Sequence, residues 1–307
     1  MKRIVAILLT ALLLLSVTGC GSGADNPPKE PSAVTPSGQS EQGGTQEQTS
    51  DPVDTALDPA TVSVEETVLL DEAGVKITAK SLDMSALFGP ELKLLIENES
   101  GKNLTVQTRS VSVNGYMIET MLSADVATGK KANDTLTFLE SDLKLSGITT
   151  FADMEISFHI FDSDSWDTYL DSGSITLKTS AAEGFPYSYD DSGEVAYEGD
   201  GIRVVVKGLA ESGSLFGPGV ILYIENTSDR DITVQTRDVS VNGFMIDPFM
   251  SVDVCAGKHA VTEMTFMSSD LEENDIEEIT DIEVTFHIFD LDTWDTVVDT
   301  APVTITF

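Results

Sequence analysis

Two stretches, FHIFDSDSWDT at residues 158–168 and FHIFDLDTWDT at residues 286–296, carry the densest set of chemically active side chains in the chain. In and just after them, Asp162, Asp164, Asp167 and Asp171 recur as Asp290, Asp292, Asp295 and Asp299. Carboxylates crowded on a turn suit a hard cation such as calcium, which takes six to eight oxygen ligands. The spacing is not that of an EF-hand loop, which needs a further acidic residue, a glycine and a distant glutamate. The same residues also make a solvated turn, with aspartates bonding to nearby backbone and Trp166 and Trp294 covering the open end of the domain. Acidic turns are commoner than metal sites, so the turn is the preferred reading and calcium the alternative.

Little else points to catalysis. The chain has no nucleophile elbow, no zinc-protease helix motif, no paired cysteines and no phosphate-binding glycine loop before a lysine. Ser141 and Lys144 have a serine-lysine spacing, but the second copy places Glu272 at the lysine's position. His159 and His287 alternate with apolar neighbours and so belong to the sheet face opposite the core, as hydrogen-bonded or half-exposed strand residues. A hydrolase would need a pocket holding two close carboxylates. Arg109 and Arg237 persist in a base-poor chain; each is expected to pair with an acidic residue, Asp125 and Asp253 being the candidates, and to fix a strand irregularity. Cys255 has Ala127 as its counterpart and reads as a small buried residue rather than a reactive thiol.

The elements that position these residues come in two copies. VQTRSVSVNGYMI at 106–118 matches VQTRDVSVNGFMI at 234–246, and the LFGP segments at 87–90 and 215–218 keep the same offset of 128 residues. A period this long is a duplicated domain and not a solenoid. Within each copy short runs of alternating apolar residues, such as VKITAKSL, LKLLIEN and MEISFHIF, read as strands. Asn114-Gly115 and Asn242-Gly243 are hairpin signals, because a type I′ turn needs positive φ at both central residues. Leu104 and Val106 fall on even positions while Val111 and Val113 fall on odd ones, and the second copy repeats the slip. A bulge or a crossing between sheets is therefore expected near 108–110 and 236–240. Ser269 and Glu272 make a capping box for a short helix, which Lys144 should leave less well formed in the first copy.

The pattern predicts an all-β chain of two tandem immunoglobulin-like antiparallel β-sandwich domains, at 65–179 and 195–307, joined by a linker at 180–194 whose aromatics can lie on a domain face. Ahead of them stand a signal peptide at 1–19 and a Gly/Ser/Thr/Gln/Pro-rich tether at 20–64, disordered by composition. With 52 acidic and 17 basic residues the chain has a formal net charge of −35, a field that repels nucleic acid and attracts cations and basic proteins.

Val17-Thr18-Gly19-Cys20 resembles the lipobox of bacterial lipoproteins. That resemblance implies acylation of Cys20 and a membrane anchor on the extracytoplasmic side. With the tether and the repeated IEN.S....TVQTR.VSVNG.MI pattern, the chain resembles uncharacterised surface lipoproteins of Gram-positive bacteria with immunoglobulin-like domains. The resemblance covers the signal and both copies, and it implies fold and location without importing an activity. The expected function is a non-catalytic surface binding or spacer module for a protein or cell-surface partner of basic character, with the LFGP loops and the Asp/Trp turns as recognition sites. A calcium-stiffened stalk is the alternative, and a hydrolase with an unrecognised site a more distant one.

Overall fold

The computed structural model describes residues 62–210 and 216–307. The signal peptide, Cys20 and most of the tether lie outside the described residues, as does the loop before LFGP in the second copy.

The first repeat runs β1 (Thr67–Glu72), β2 (Val75–Asp83), β3 (Glu91–Asn98), β4 (Leu104–Val113), β5 (Tyr116–Met117), β6 (Thr120–Met121), β7 (Ser123–Val126), β8 (Lys130–Phe138), α1 (Glu140–Leu145), β9 (Asp153–Asp162), β10 (Thr168–Asp171) and β11 (Ile175–Lys178). The second runs β12 (Glu194–Gly199), β13 (Ile202–Leu209), β14 (Gly219–Asn226), β15 (Ile232–Val241), β16 (Phe244–Met245), β17 (Ser251–Val254), β18 (Lys258–Thr265), α2 (Ser268–Glu273), β19 (Asp281–Asp290), β20 (Thr296–Asp299) and β21 (Val303–Thr306). The described residues are all-β, and their three sheets pair antiparallel except at one point. One sheet of five strands belongs to the first repeat and one of six to the second, while a ten-stranded sheet spans both.

Alternation builds the cores. On β3 the side chains of Leu92, Leu94 and Ile96 are buried while those between them are half-exposed, and on β9 Met154, Ile156, Phe158 and Ile160 face the same interior. Each repeat thus closes the apolar faces of two sheets on its own core, consistent with a β-sandwich.

The expected strand slip is a bulge. β4 pairs with β9 through Thr108↔Phe158 and Ser110↔Ser157, which leaves Arg109 as the extra residue, and β15 shifts against β19 between Arg237 and Ser240. The bulge lets Val106 and Val111, of opposite parity, both reach the core while the strand stays in one sheet.

The capping box does not form. Met267 and Leu139 occupy the N-cap positions without side-chain caps, and Ser269 lies inside the helix because it starts at Ser268, whose N–H is taken by the Phe216 carbonyl at 2.9 Å. Lys144 does not leave the first helix less complete than the second: both have six residues, and Lys144 pairs with Glu140 one turn earlier at 2.8 Å. Residues 62–64, read as the end of the tether, are held by the first repeat, where Val62 is buried and the Ser180 N–H donates to the Ser63 carbonyl at 2.8 Å. Among the described residues no helix is long and apolar enough to cross a membrane.

Candidate functional site

The two repeats meet at the tip of the first repeat's hairpin. Asn114 and Gly115 both have positive φ, 51° and 88°, as a type I′ turn requires. The Asn114 side chain fixes the turn from behind, its Oδ1 accepting the Ala152 N–H at 2.7 Å and its Nδ2 donating to the Thr150 carbonyl at 2.8 Å. So held, the turn points the Gly115 carbonyl at β18, where the His259 N–H donates to it at 3.0 Å, and Tyr116 pairs in parallel with His259. Among the described residues this one bridge fuses the sheets of the two repeats.

Aromatic packing covers the bridge. The linker ring of Tyr189 stacks on His259 with centroids 3.7 Å apart and meets Tyr116 edge-on at 5.3 Å. Tyr223 bonds His259 Nδ1 at 2.7 Å. Burial, with a smaller contribution from Lys258, pushes the His259 imidazole down to about 4, and burial pushes the Tyr223 phenol well above its ordinary range. Val205 and Tyr223 of the second repeat join the first repeat's core, and Met117 packs against the second's. Two ion pairs frame the joint: Lys258 with Glu155, and Arg109 with Asp292.

Two clefts flank this seam. The first, of about 320 Å³, is lined by Glu119, Asp142, Asp253, Glu263 and Arg109. The Glu119 carboxyl is raised by burial and then by the charges of Asp142 and Asp253, although the residue as a whole keeps much of its surface in solvent. Glu263 Oε1 is buried and has no hydrogen-bond partner among the described residues. The second cleft, of about 300 Å³, is lined by serines together with Cys255, Lys258 and Asp292. Cys255 is a free, half-buried thiol that burial pushes up to about 11, so it is protonated at neutral pH and a poor nucleophile.

The acidic turns form differently from the cation reading. Asp162 Oδ1 accepts the N–H of Asp164 at 3.0 Å while Oδ2 meets Lys102 at 2.8 Å. The lysine first, and then the backbone donors, hold its carboxyl below the usual range. Asp167 accepts the Ser165 hydroxyl, and Asp164 the Asn103 amide. Asp171 lies on another strand and meets His159 Nδ1 at 2.5 Å. In the second copy Asp290 accepts the N–H groups of Asp292 and Thr293, the Asp295 N–H donates to Thr293, and Asp299 meets His287 at 2.6 Å and Arg237 at 3.6 Å. Seven of the eight carboxylates, all but that of Asp295, are thus engaged by separate partners, and among the described residues no group of three or more His, Cys, Asp or Glu side chains is placed to hold a metal ion.

Trp166 and Trp294 do not cover the ends of the sheets. They are 76% and 74% exposed, take left-handed backbone with φ of 64° and 65°, and stack from outside on Phe161 and Phe289. Hairpin closure from Asp162 to Asp167 demands a left-handed residue there, and that geometry turns the indole outward. Arg109 and Arg237 also find other partners than expected. Asp125 and Asp253 accept the hydroxyls of Thr105 and Thr233, both at 2.6 Å, whereas Arg109 reaches Asp171 at 3.6 Å and crosses to Asp292. Asn242 and Gly243 repeat the I′ turn, with φ of 49° and 84°, and the following Phe244 and Met245 are 47% and 68% exposed. In the first LFGP loop Leu87 and Phe88 are 85% and 71% exposed.

The sequence reading missed His259, Tyr223 and Tyr189 as a group. Their signal was present as asymmetry: the first copy has Lys131 and Leu95 where the second has His259 and Tyr223.

No family model and no curated protein matches the chain. Among solved structures, the YadV chaperone overlaps 76% of this chain and 100% of its own at 11% identity with a TM-score of 0.23. The Salmonella enterica SafA pilin in complex with the SafB chaperone overlaps 71% of this chain and 89% of its own at 13% identity and a TM-score of 0.19. Red sea bream transglutaminase overlaps 73% and 31% at 11% identity and a TM-score of 0.18. Similarities this low carry no inference about activity or partners.

Proposed function

We propose that the chain is an extracytoplasmic lipoprotein, acylated at Cys20, whose two immunoglobulin-like domains form a non-catalytic binding module for a cationic group of a basic protein partner. The observation that carries this reading is the convergence of Glu119, Asp142, Asp253 and Glu263 on one cleft at the joint between repeats. Four carboxylates with one arginine leave the cleft short of positive charge, and a lysine or arginine of a partner would supply it. Fusion of the repeats through β5 and β18 favours a second role as a stiff spacer between membrane and ligand.

Calorimetric titration of a lysine-rich peptide into the protein and its Glu119→Gln/Glu263→Gln variant tests the site. Roughly tenfold weaker binding by the variant is expected. Equal affinity would assign the binding to the general acidic surface and remove the cleft from the proposal. Cys20→Ser should release the chain from the membrane fraction; retention would contradict the anchor.

A further inference from the structure

The joint between the repeats has a donor side and an acceptor side, and duplication has written both twice. On the donor side of the first repeat stand the hairpin tip and the ion-pairing residues Arg109 and Glu155; the acceptor side of the second supplies the β18 edge with Lys258, and Asp292. Advancing the donor by 128 residues gives Arg237, Glu283 and the hairpin Asn242–Met245, and setting the acceptor back by 128 gives Lys130 and Asp164 on the first repeat. Every charged member of both ion pairs is therefore repeated with its sign. Arg237, Glu283, Lys130 and Asp164 are all exposed, as are the apolar side chains of the second hairpin.

The backbone matches too. His259 lies opposite Glu225 on β14, and Lys131 lies opposite Glu97 on β3, so the outward N–H that His259 gives to Gly115 has its counterpart on Lys131. Among the described residues, strand β8 pairs beyond β3 only at Thr137 and Phe138, where β6 joins it, and its first residues form a sheet edge.

We infer that these two surfaces bind each other between copies: the Asn242–Met245 hairpin of one molecule docks on the Lys130–Asn133 edge of a second, with Arg237 meeting Asp164 and Glu283 meeting Lys130. Because donor and acceptor lie on different repeats, an assembly of any length keeps one free surface of each kind at its ends, and association is head to tail. The contact is weaker than the one within the chain. Lys131 and Asn133 replace His259 and Val261, and the Tyr189 ring comes from the linker rather than from either repeat. Two lysines on the edge limit pairing with arbitrary strands, and Lys130 favours a hairpin that brings Glu283 with it. Molecules confined to one surface would meet at raised effective concentration, where a weak contact suffices.

Sedimentation equilibrium of the full chain over a concentration series tests the inference. Average mass should climb past two copies without a plateau and fall at high salt. Arg237→Asp and Asp164→Arg should each weaken association roughly tenfold, and the double variant, with both signs exchanged, should recover it. Met245→Asp on the exposed hairpin should weaken it by a similar factor, with melting temperature as the check on folding. A monomer at every concentration, a mass that stops at two copies, or charge variants that associate like the parent would each overturn the inference.

Discussion

At His259 the joint becomes sensitive to acid. The folded imidazole sits near 4 and the unfolded one near 6.5, so between these values the unfolded chain holds more protons. The stability from keeping His259 neutral is complete above pH 6.5 and is lost as pH falls towards 4. Between pH 7 and pH 5 the loss amounts to about 2 kcal/mol. Urea unfolding at the two pH values should show it, and His259→Phe should remove most of the difference; an undiminished difference would place the effect elsewhere. Glu119 works in the opposite sense, because its folded carboxyl is raised. Its penalty is present above the folded value and disappears below 4.5, so Glu119→Gln should raise the melting temperature at pH 7 and leave it unchanged at pH 4. Arg109 joins two repeats where Arg237 meets only its own. Arg109→Ala should cost about 1 kcal/mol and Arg237→Ala less than half of that, since both pairs are solvent-exposed. Equal costs by thermal melting would deny Arg109 its bridging role.

Among the elements, the two Asn-Gly hairpins are a built-in comparison. A Cβ on Gly115 would lie 2.5 Å from the Tyr189 hydroxyl, whereas one on Gly243 would meet nothing within 4 Å. Both carry positive φ, so Gly243→Ala should cost about 1 kcal/mol for backbone strain alone, and Gly115→Ala about 1 kcal/mol more for the disturbed joint. Denaturant melts of the two variants measure the difference. Strands, hairpins and bulges were legible because each rests on local periodicity: parity of Val106 against Val111 reports the bulge, and Asn-Gly reports the turn. The repeated IEN.S pattern was legible as a motif but not as a cause; Asn98 and Asn226 are buried and bond the carbonyls of Val126 and Val254 at 2.7 and 2.8 Å. The linker aromatics were legible as a cover for a domain face, but the joint they cover was not, because Tyr116, Tyr189, Tyr223 and His259 are far apart in sequence and only a comparison of the two copies sets His259 and Tyr223 apart. The Trp turns misled for a similar reason: residue type suggests burial, while the left-handed backbone that directs each indole outward is set by hairpin closure.

For the whole molecule, charge and shape act together. A formal net charge of −35 on one chain destabilises the compact state by self-repulsion, which salt relieves. Because the acidic turns share their carboxylates among separate partners, calcium and magnesium at equal ionic strength should raise the melting temperature by the same amount. A calcium-specific rise would restore the cation reading of the turns. The linker from 180 to 194 belongs to the joint, since Tyr187 bonds Asp153 and Tyr189 covers His259. A protease that cut there would separate the covalent chain without separating its halves. The first core borrows Val205 and Tyr223 from across the seam, so the nicked pieces would elute together and melt in one transition. The two repeats descend from one domain by duplication, yet here the first completes its core only with side chains of the second.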